Sequence, residues 1–281
     1  MPTLKKYKIA FYLYVLLSIA NNTTVYASKI DTLFVWSKSM NKQVPNLVIV
    51  PSNYYSSKTK FPVLFLLHGA GDNFLGWIQI SPELKNYADN YKMIIVCPDG
   101  GETSWYFDSP VDKSVRYETY ITSELITAIN TKYKAATVKN GRAISGLSMG
   151  GHGALYLSIR HQNIFGAVGS ISGAVDFRPF YKNWDLAKRL GNYQDHKKIW
   201  DDNTVINMLP SLTGSLRIIF DCGVNDFFYS VNKRLHEEML TRKIPHDYIE
   251  RPGEHNVEYW HNAIKYHMVF FNDFFNESRG K

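Results

Sequence analysis

Cysteine is nearly absent from this chain: Cys97 and Cys222 are the only two in 281 residues. That count allows at most one disulfide and excludes any metal site built from thiolates. Both thiols stand at the ends of apolar, strand-like runs, 93–97 and 217–222. The sheet proposed below does not make those strands neighbours, so two buried free thiols are expected. No apolar run is long enough to span a bilayer comfortably; the one near the start covers only 9–20. A net charge of +7 is spread without a Lys/Arg block, which argues against a nucleic-acid stripe. Internal repeats, low-complexity tracts and linkers rich in Pro, Gly or Ser are missing too. One large domain with a sizeable core is the simplest organisation for this length.

Aromatic residues, by contrast, are plentiful, at 15% with 19 Tyr and 6 Trp. Composition alone fits either an aromatic core or an aromatic-lined pocket. At the N-terminus, Lys5, Lys6 and Lys8 precede the 9–20 run, and Val25-Tyr26-Ala27 offers small residues for a signal peptidase. Residues 1–27 therefore read as a signal peptide, and 28–281 as the mature domain of an exported protein, periplasmic or secreted. No cysteine adjoins the cleavage point, so no lipid anchor and no stable membrane anchor is expected after cleavage.

Strand-like and helix-like segments alternate along the rest. Segments 31–40 and 43–50 read as an opening pair of strands. Segments 61–67 and 91–97 are continuous apolar runs of the kind buried on both faces of a sheet. Further strands are expected at 141–145, 167–171, 216–222 and 246–250, with helical spacing over 117–133. This order predicts an α/β fold: a mostly parallel central sheet with helices on both faces. The segment 174–212 is less regular, and fits either a lid or a surface excursion.

The most informative stretch is Gly146-Leu147-Ser148-Met149-Gly150. It follows a strand-like segment and precedes a helical one, the context in which G-x-S-x-G becomes a strained turn presenting a nucleophilic serine. Glycines on both sides leave room for that turn. A serine needs a base, and the base a carboxylate to orient it. In the chain order serine, acid, histidine, His255 fits the base, in Pro252-Gly253-Glu254-His255 after the last strand. Asp226 fits the acid, in Gly223-Val224-Asn225-Asp226; Asp221 and Asp176 are its rivals. His152 reads as a packing residue, and His68 as shaping a turn. Backbone N–H groups of Met149 and Ala70 are the expected donors to an oxyanion.

On these residues the chain resembles the esterase D family of α/β-hydrolases, which includes feruloyl and acetyl-xylan esterases, S-formylglutathione hydrolases, tributyrin esterases and mycolyltransferases. The matching pieces are Leu66-Leu67-His68-Gly69, the run from Gly146 to Ala154, Asp221-Cys222-Gly223 with Asp226, and Gly253-Glu254-His255 with Tyr259-Trp260. The resemblance implies an α/β-hydrolase fold, a Ser148–Asp226–His255 triad, and no metal or organic cofactor. It leaves the acyl and alcohol groups open. Export disfavours a cytosolic formylglutathione role and favours acetyl or feruloyl esters of plant-type polysaccharide or oligosaccharide. Alternatives are acyl transfer to a sugar or lipid, a siderophore or xenobiotic esterase, and a non-catalytic carbohydrate-binding relative. Trp105, Tyr106 and Trp260, with Trp184 and Tyr259, are candidates for a substrate platform. The oligomeric state is not readable from the sequence.

Overall fold

A computed structural model describes residues 28–279, so the expected signal peptide lies outside the described residues. Eight strands form one sheet: β1 (Lys29–Ser37), β2 (Lys42–Val50), β3 (Val63–Leu67), β4 (Ile94–Pro98), β5 (Arg142–Gly146), β6 (Ala167–Ile171), β7 (Arg217–Gly223) and β8 (Asp247–Arg251). Their spatial order is β1-β2-β4-β3-β5-β6-β7-β8. The first two pair antiparallel, and β2 meets β4 antiparallel. From β4 to β8 every pairing is parallel.

The apolar runs are buried on both faces because helices cover both. Along β3, Val63, Phe65 and Leu67 enter one core, while Leu64 and Leu66 enter the other. This is the alternation that a pleated strand imposes. One face is covered by α1 (Gly76–Ile80), α2 (Leu84–Tyr91) and the C-terminal helix Val257–Arg279. The other is covered by α3 (117–132), α4 (Met149–Arg160), α5 (Leu186–Leu190), α6 (Lys197–Asp202), α7 (Val205–Met208) and α8 (Tyr229–Thr241). The C-terminal helix is α9.

Three details differ from expectation. Tyr91 closes α2 instead of opening a strand, because Lys92 takes a left-handed conformation (φ 50°) that stops the helix. The 117–132 helix contains a π turn at Tyr120–Leu125. Phe61 lies outside the sheet, bridging Ala135 in the loop after α3, so the strand expected over 61–67 begins at Val63. The 174–212 segment carries α5, α6 and α7, and buries Phe177, Leu186, Leu190, Trp200 and Val205 in the α4-side core. Cys97 and Cys222 are buried and free, with β3, β5 and β6 between their strands. They also face opposite cores.

Parallel strands end on one edge, so the loops after β3, β5, β7 and β8 gather there. Phe65 lies at the centre of the sheet and is 1% exposed. Phe65→Ala should cost about 3–5 kcal/mol of stability, read from chemical denaturation midpoints.

Candidate active site

Ser148 sits between β5 and α4 with φ 54° and ψ −117°, a strained conformation for a residue with a side chain. The turn is held from several sides. Ser148 N–H donates to the Ile171 carbonyl at 2.9 Å, and the Ser148 carbonyl accepts from His152 N–H at 3.1 Å. The flanking glycines are required by space: a Cβ on Gly146 would lie 2.3 Å from the Gly150 carbonyl oxygen, and one on Gly150 2.4 Å from that of Leu67.

The loops after β7 and β8 bring the partners. Ser148 Oγ donates to His255 Nε2 at 2.9 Å, and His255 Nδ1–H donates to Asp226 Oδ2 at 2.8 Å. The other carboxylate oxygen of Asp226 accepts from Phe228 N–H at 2.8 Å. Acid and base loops are joined through their backbones, Val224 N–H to Arg251 O at 2.9 Å and Asn225 N–H to Gly253 O at 3.0 Å. They approach so closely at Gly223 that a Cβ there would meet the Gly253 carbonyl at 2.4 Å. Both rival carboxylates are engaged by arginines: Asp176 with Arg178 at 2.8 Å, and Asp221 with Arg251.

The Ala70 and Met149 N–H groups, expected as oxyanion donors, donate to no other group among the described residues. Ala70 is half-buried in the loop after β3, and Met149 opens α4. The neighbouring amide of Gly71 is already committed to the Glu102 carbonyl at 2.9 Å. His68 shapes this loop. It is buried, its Nε2 accepts from Gly100 N–H at 2.8 Å, and its Nδ1–H donates to the Gly69 carbonyl at 2.7 Å. Burial holds its pKa below the ordinary histidine value.

The platform residues divide. Trp105 and Tyr106 are at most 1% exposed, so neither offers a ring to a substrate. Both take left-handed conformations (φ 58° and 60°), in a tight turn whose rings end up in the core. Trp105 N–H donates to Met149 Sδ at 3.4 Å, and Tyr106 O–H to the His68 carbonyl at 3.1 Å. They support the turn at Ser148 and the loop after β3 from beneath. Tyr259 is buried as well, whereas Trp260 is half-buried with its ring edge-on to His255 at 5.1 Å. Sequence reasoning passed over Phe227, which is 49% exposed and has its ring 4.3 Å from that of His255. Trp184, from the 174–212 segment, stacks on Phe227 at 5.9 Å. The one signal for Phe227 was its place directly after Asp226.

A serine, an imidazole and a carboxylate in hydrogen-bonded series, at the loop-bearing edge of a mostly parallel sheet, define a serine hydrolase of the α/β-hydrolase fold. The chain belongs to the esterase family: the family model described as "Putative esterase" matches residues 37–270, in agreement with the resemblance read from the motifs. It is similar to Esterase Rv1288 of Mycobacterium tuberculosis, 27% identical over 258 residues, covering 78% of this chain and 53% of that protein. It thus spans about half the length of that relative. An acetyl esterase of Caldicellulosiruptor saccharolyticus is 25% identical over 251 residues, covering 82% of this chain and 92% of that one. A solved structure of a ferulic acid esterase matches with a TM-score of 0.77 and 28% identity, over 89% of this chain and 99% of that chain.

His152, behind the nucleophile on α4, is fully buried among the rings of Trp105, Phe107, Tyr156 and Phe177. Its Nε2–H donates to the Asn203 carbonyl at 3.0 Å. Burial lowers its pKa from 6.5 to about 4. The folded protein therefore refuses a proton that the unfolded chain accepts. The associated stability is complete above pH 6.5 and is lost as pH falls from there toward 4, by on the order of 3 kcal/mol. His152→Gln should flatten this part of the melting-temperature profile relative to the wild type; parallel profiles would refute the assignment.

Proposed function

We propose that this protein is an exported serine carboxylesterase that works through an acyl-enzyme, acting on acetyl or feruloyl esters of plant-type polysaccharide or oligosaccharide. The observation that carries the chemistry is the unbroken series Ser148 Oγ to His255 Nε2 and His255 Nδ1 to Asp226. Ser148 Oγ attacks the ester carbonyl as its proton passes to His255 Nε2. The imidazolium is stabilised by Asp226, which also fixes the tautomer. Negative charge gathers on the carbonyl oxygen, where Ala70 and Met149 N–H have donors to spare. The tetrahedral species collapses as His255 gives its proton to the leaving alcohol. Water, deprotonated by the same imidazole, then releases the acid and restores the serine.

The substrate reading rests on the aromatic wall of Trp184, Phe227 and Trp260 beside the base. Flat rings suit a flat partner, an aryl acyl group or the face of a sugar. The acetyl esterase and ferulic acid esterase relatives support the same range. Export rests on the composition of 1–27 alone.

Hydrolysis of p-nitrophenyl acetate by the chain from Ser28 tests the chemistry. Ser148→Ala should lower kcat by about 10⁴-fold or more. Retained turnover would assign the nucleophile elsewhere. The wall is tested separately: Phe227→Ala should weaken use of methyl ferulate about tenfold more than use of p-nitrophenyl acetate. Equal effects on both esters would remove Phe227 from substrate recognition. Sequencing the N-terminus of protein recovered outside the cytoplasm tests the cleavage expected before Ser28.

A further inference from the structure

Below the catalytic edge, on the α9 side of the sheet, lies a second polar cluster that the reaction does not use. Asp221 is completely buried in β7 and paired with Arg251, the last residue of β8. The Arg251 guanidinium lies over the rings of Tyr266 (4.3 Å) and Tyr259 (5.3 Å), both on α9. His267, also on α9 and fully buried, stands 3.7 Å from the Asp221 carboxylate through Nε2. Its Nδ1 is 3.4 Å from Ser145 Oγ on β5. Gly169 on β6 makes room for the cluster, since a Cβ there would lie 2.5 Å from the His267 ring and 2.6 Å from Ser145 Oγ.

The placement of these groups along the chain is informative. Ser145, Asp221 and Arg251 precede Ser148, Asp226 and His255 by three, five and four residues. The cluster thus joins the roots of all three catalytic loops, and α9 braces them from behind. A buried charge pair contributes little net stability over apolar residues of similar shape, so its presence asks for another reason. The acid and base loops also contact each other directly through Val224–Arg251 and Asn225–Gly253 backbone bonds, and Arg251 belongs to one of those contacts. We propose that the Asp221–Arg251 pair, with His267 and Ser145, sets the placement of the acid loop against the base loop, making Arg251 a positioning residue for His255 and Asp226.

The rate consequence rests on the serine-esterase reading; the geometric one does not. Both are read on the wild type, Arg251→Met, Arg251→Lys and the double variant Asp221→Asn/Arg251→Met. For each, kcat and KM for p-nitrophenyl acetate, the melting temperature and the low-field NMR resonance of the His255 Nδ1 proton are measured. Arg251→Met strands a buried carboxylate and should melt early. The double variant removes both charges and should melt near the wild type. If the pair positions the loops, the double variant still loses kcat on the order of 10²-fold with KM little changed, and its low-field resonance shifts or broadens. Wild-type kcat and resonance in the double variant would overturn the proposal, leaving the pair a neutralised charge. Should the double variant not fold, Arg251→Lys decides. It keeps the charge but loses the planar group over the two tyrosines, so the same loss of kcat in a folded protein is expected, and an unchanged kcat refutes positioning. A wild type that hydrolyses no ester would defeat the esterase reading, while the resonance comparison would still report on loop placement.

Discussion

The backbone of Ser148 is held where a residue with a side chain is unstable by about 1–3 kcal/mol, and the catalytic edge is organised around keeping it there. The Ile171 carbonyl fixes its amide from β6, and α4 takes its carbonyl. Gly146 and Gly150 let the turn press against the end of β3. Trp105 reaches beneath to the Met149 sulfur, and Tyr106 to the His68 carbonyl. Strain spread over so many rigid neighbours cannot relax locally. The serine oxygen therefore stays beside His255, and the Met149 amide is left without an acceptor among the described residues.

The parts of this arrangement that were legible in the sequence are those fixed by local chemistry. β3 could be read because five consecutive apolar residues have no solvent-facing alternative. The serine turn could be read because its glycines flank the serine in a fixed local pattern, and Gly146 is demanded by the Gly150 carbonyl four residues on. Asp226 and His255 could be placed because they follow strand-like runs within glycine-bearing loops. What could not be read depended on distant contacts. Trp105 and Tyr106 have side chains equally suited to a platform and to a core, and only their left-handed turn decides between the two. The stop after Tyr91 turns on a single dihedral at Lys92. Phe227 lies next to the acid, but its contact with the base comes from β8, far along the chain.

The two faces of the sheet serve the site differently. The α4 side is crowded with rings, and these continue outward through Phe180, Trp184 and Phe228 to Phe227 beside the base. Aromatic packing there passes without interruption from core to site wall. The α9 side holds the buried Asp221–Arg251 pair, at the roots of the loops that carry Asp226 and His255.

The two thiols add a practical consequence. They lie on opposite faces with three strands between them, so the described domain reaches its fold without making or breaking a sulfur–sulfur bond. A reducing and an oxidising compartment should therefore yield the same molecule. The protein can mature wherever it is delivered without help from disulfide-forming enzymes, and its durability there depends on the burial of its two cores.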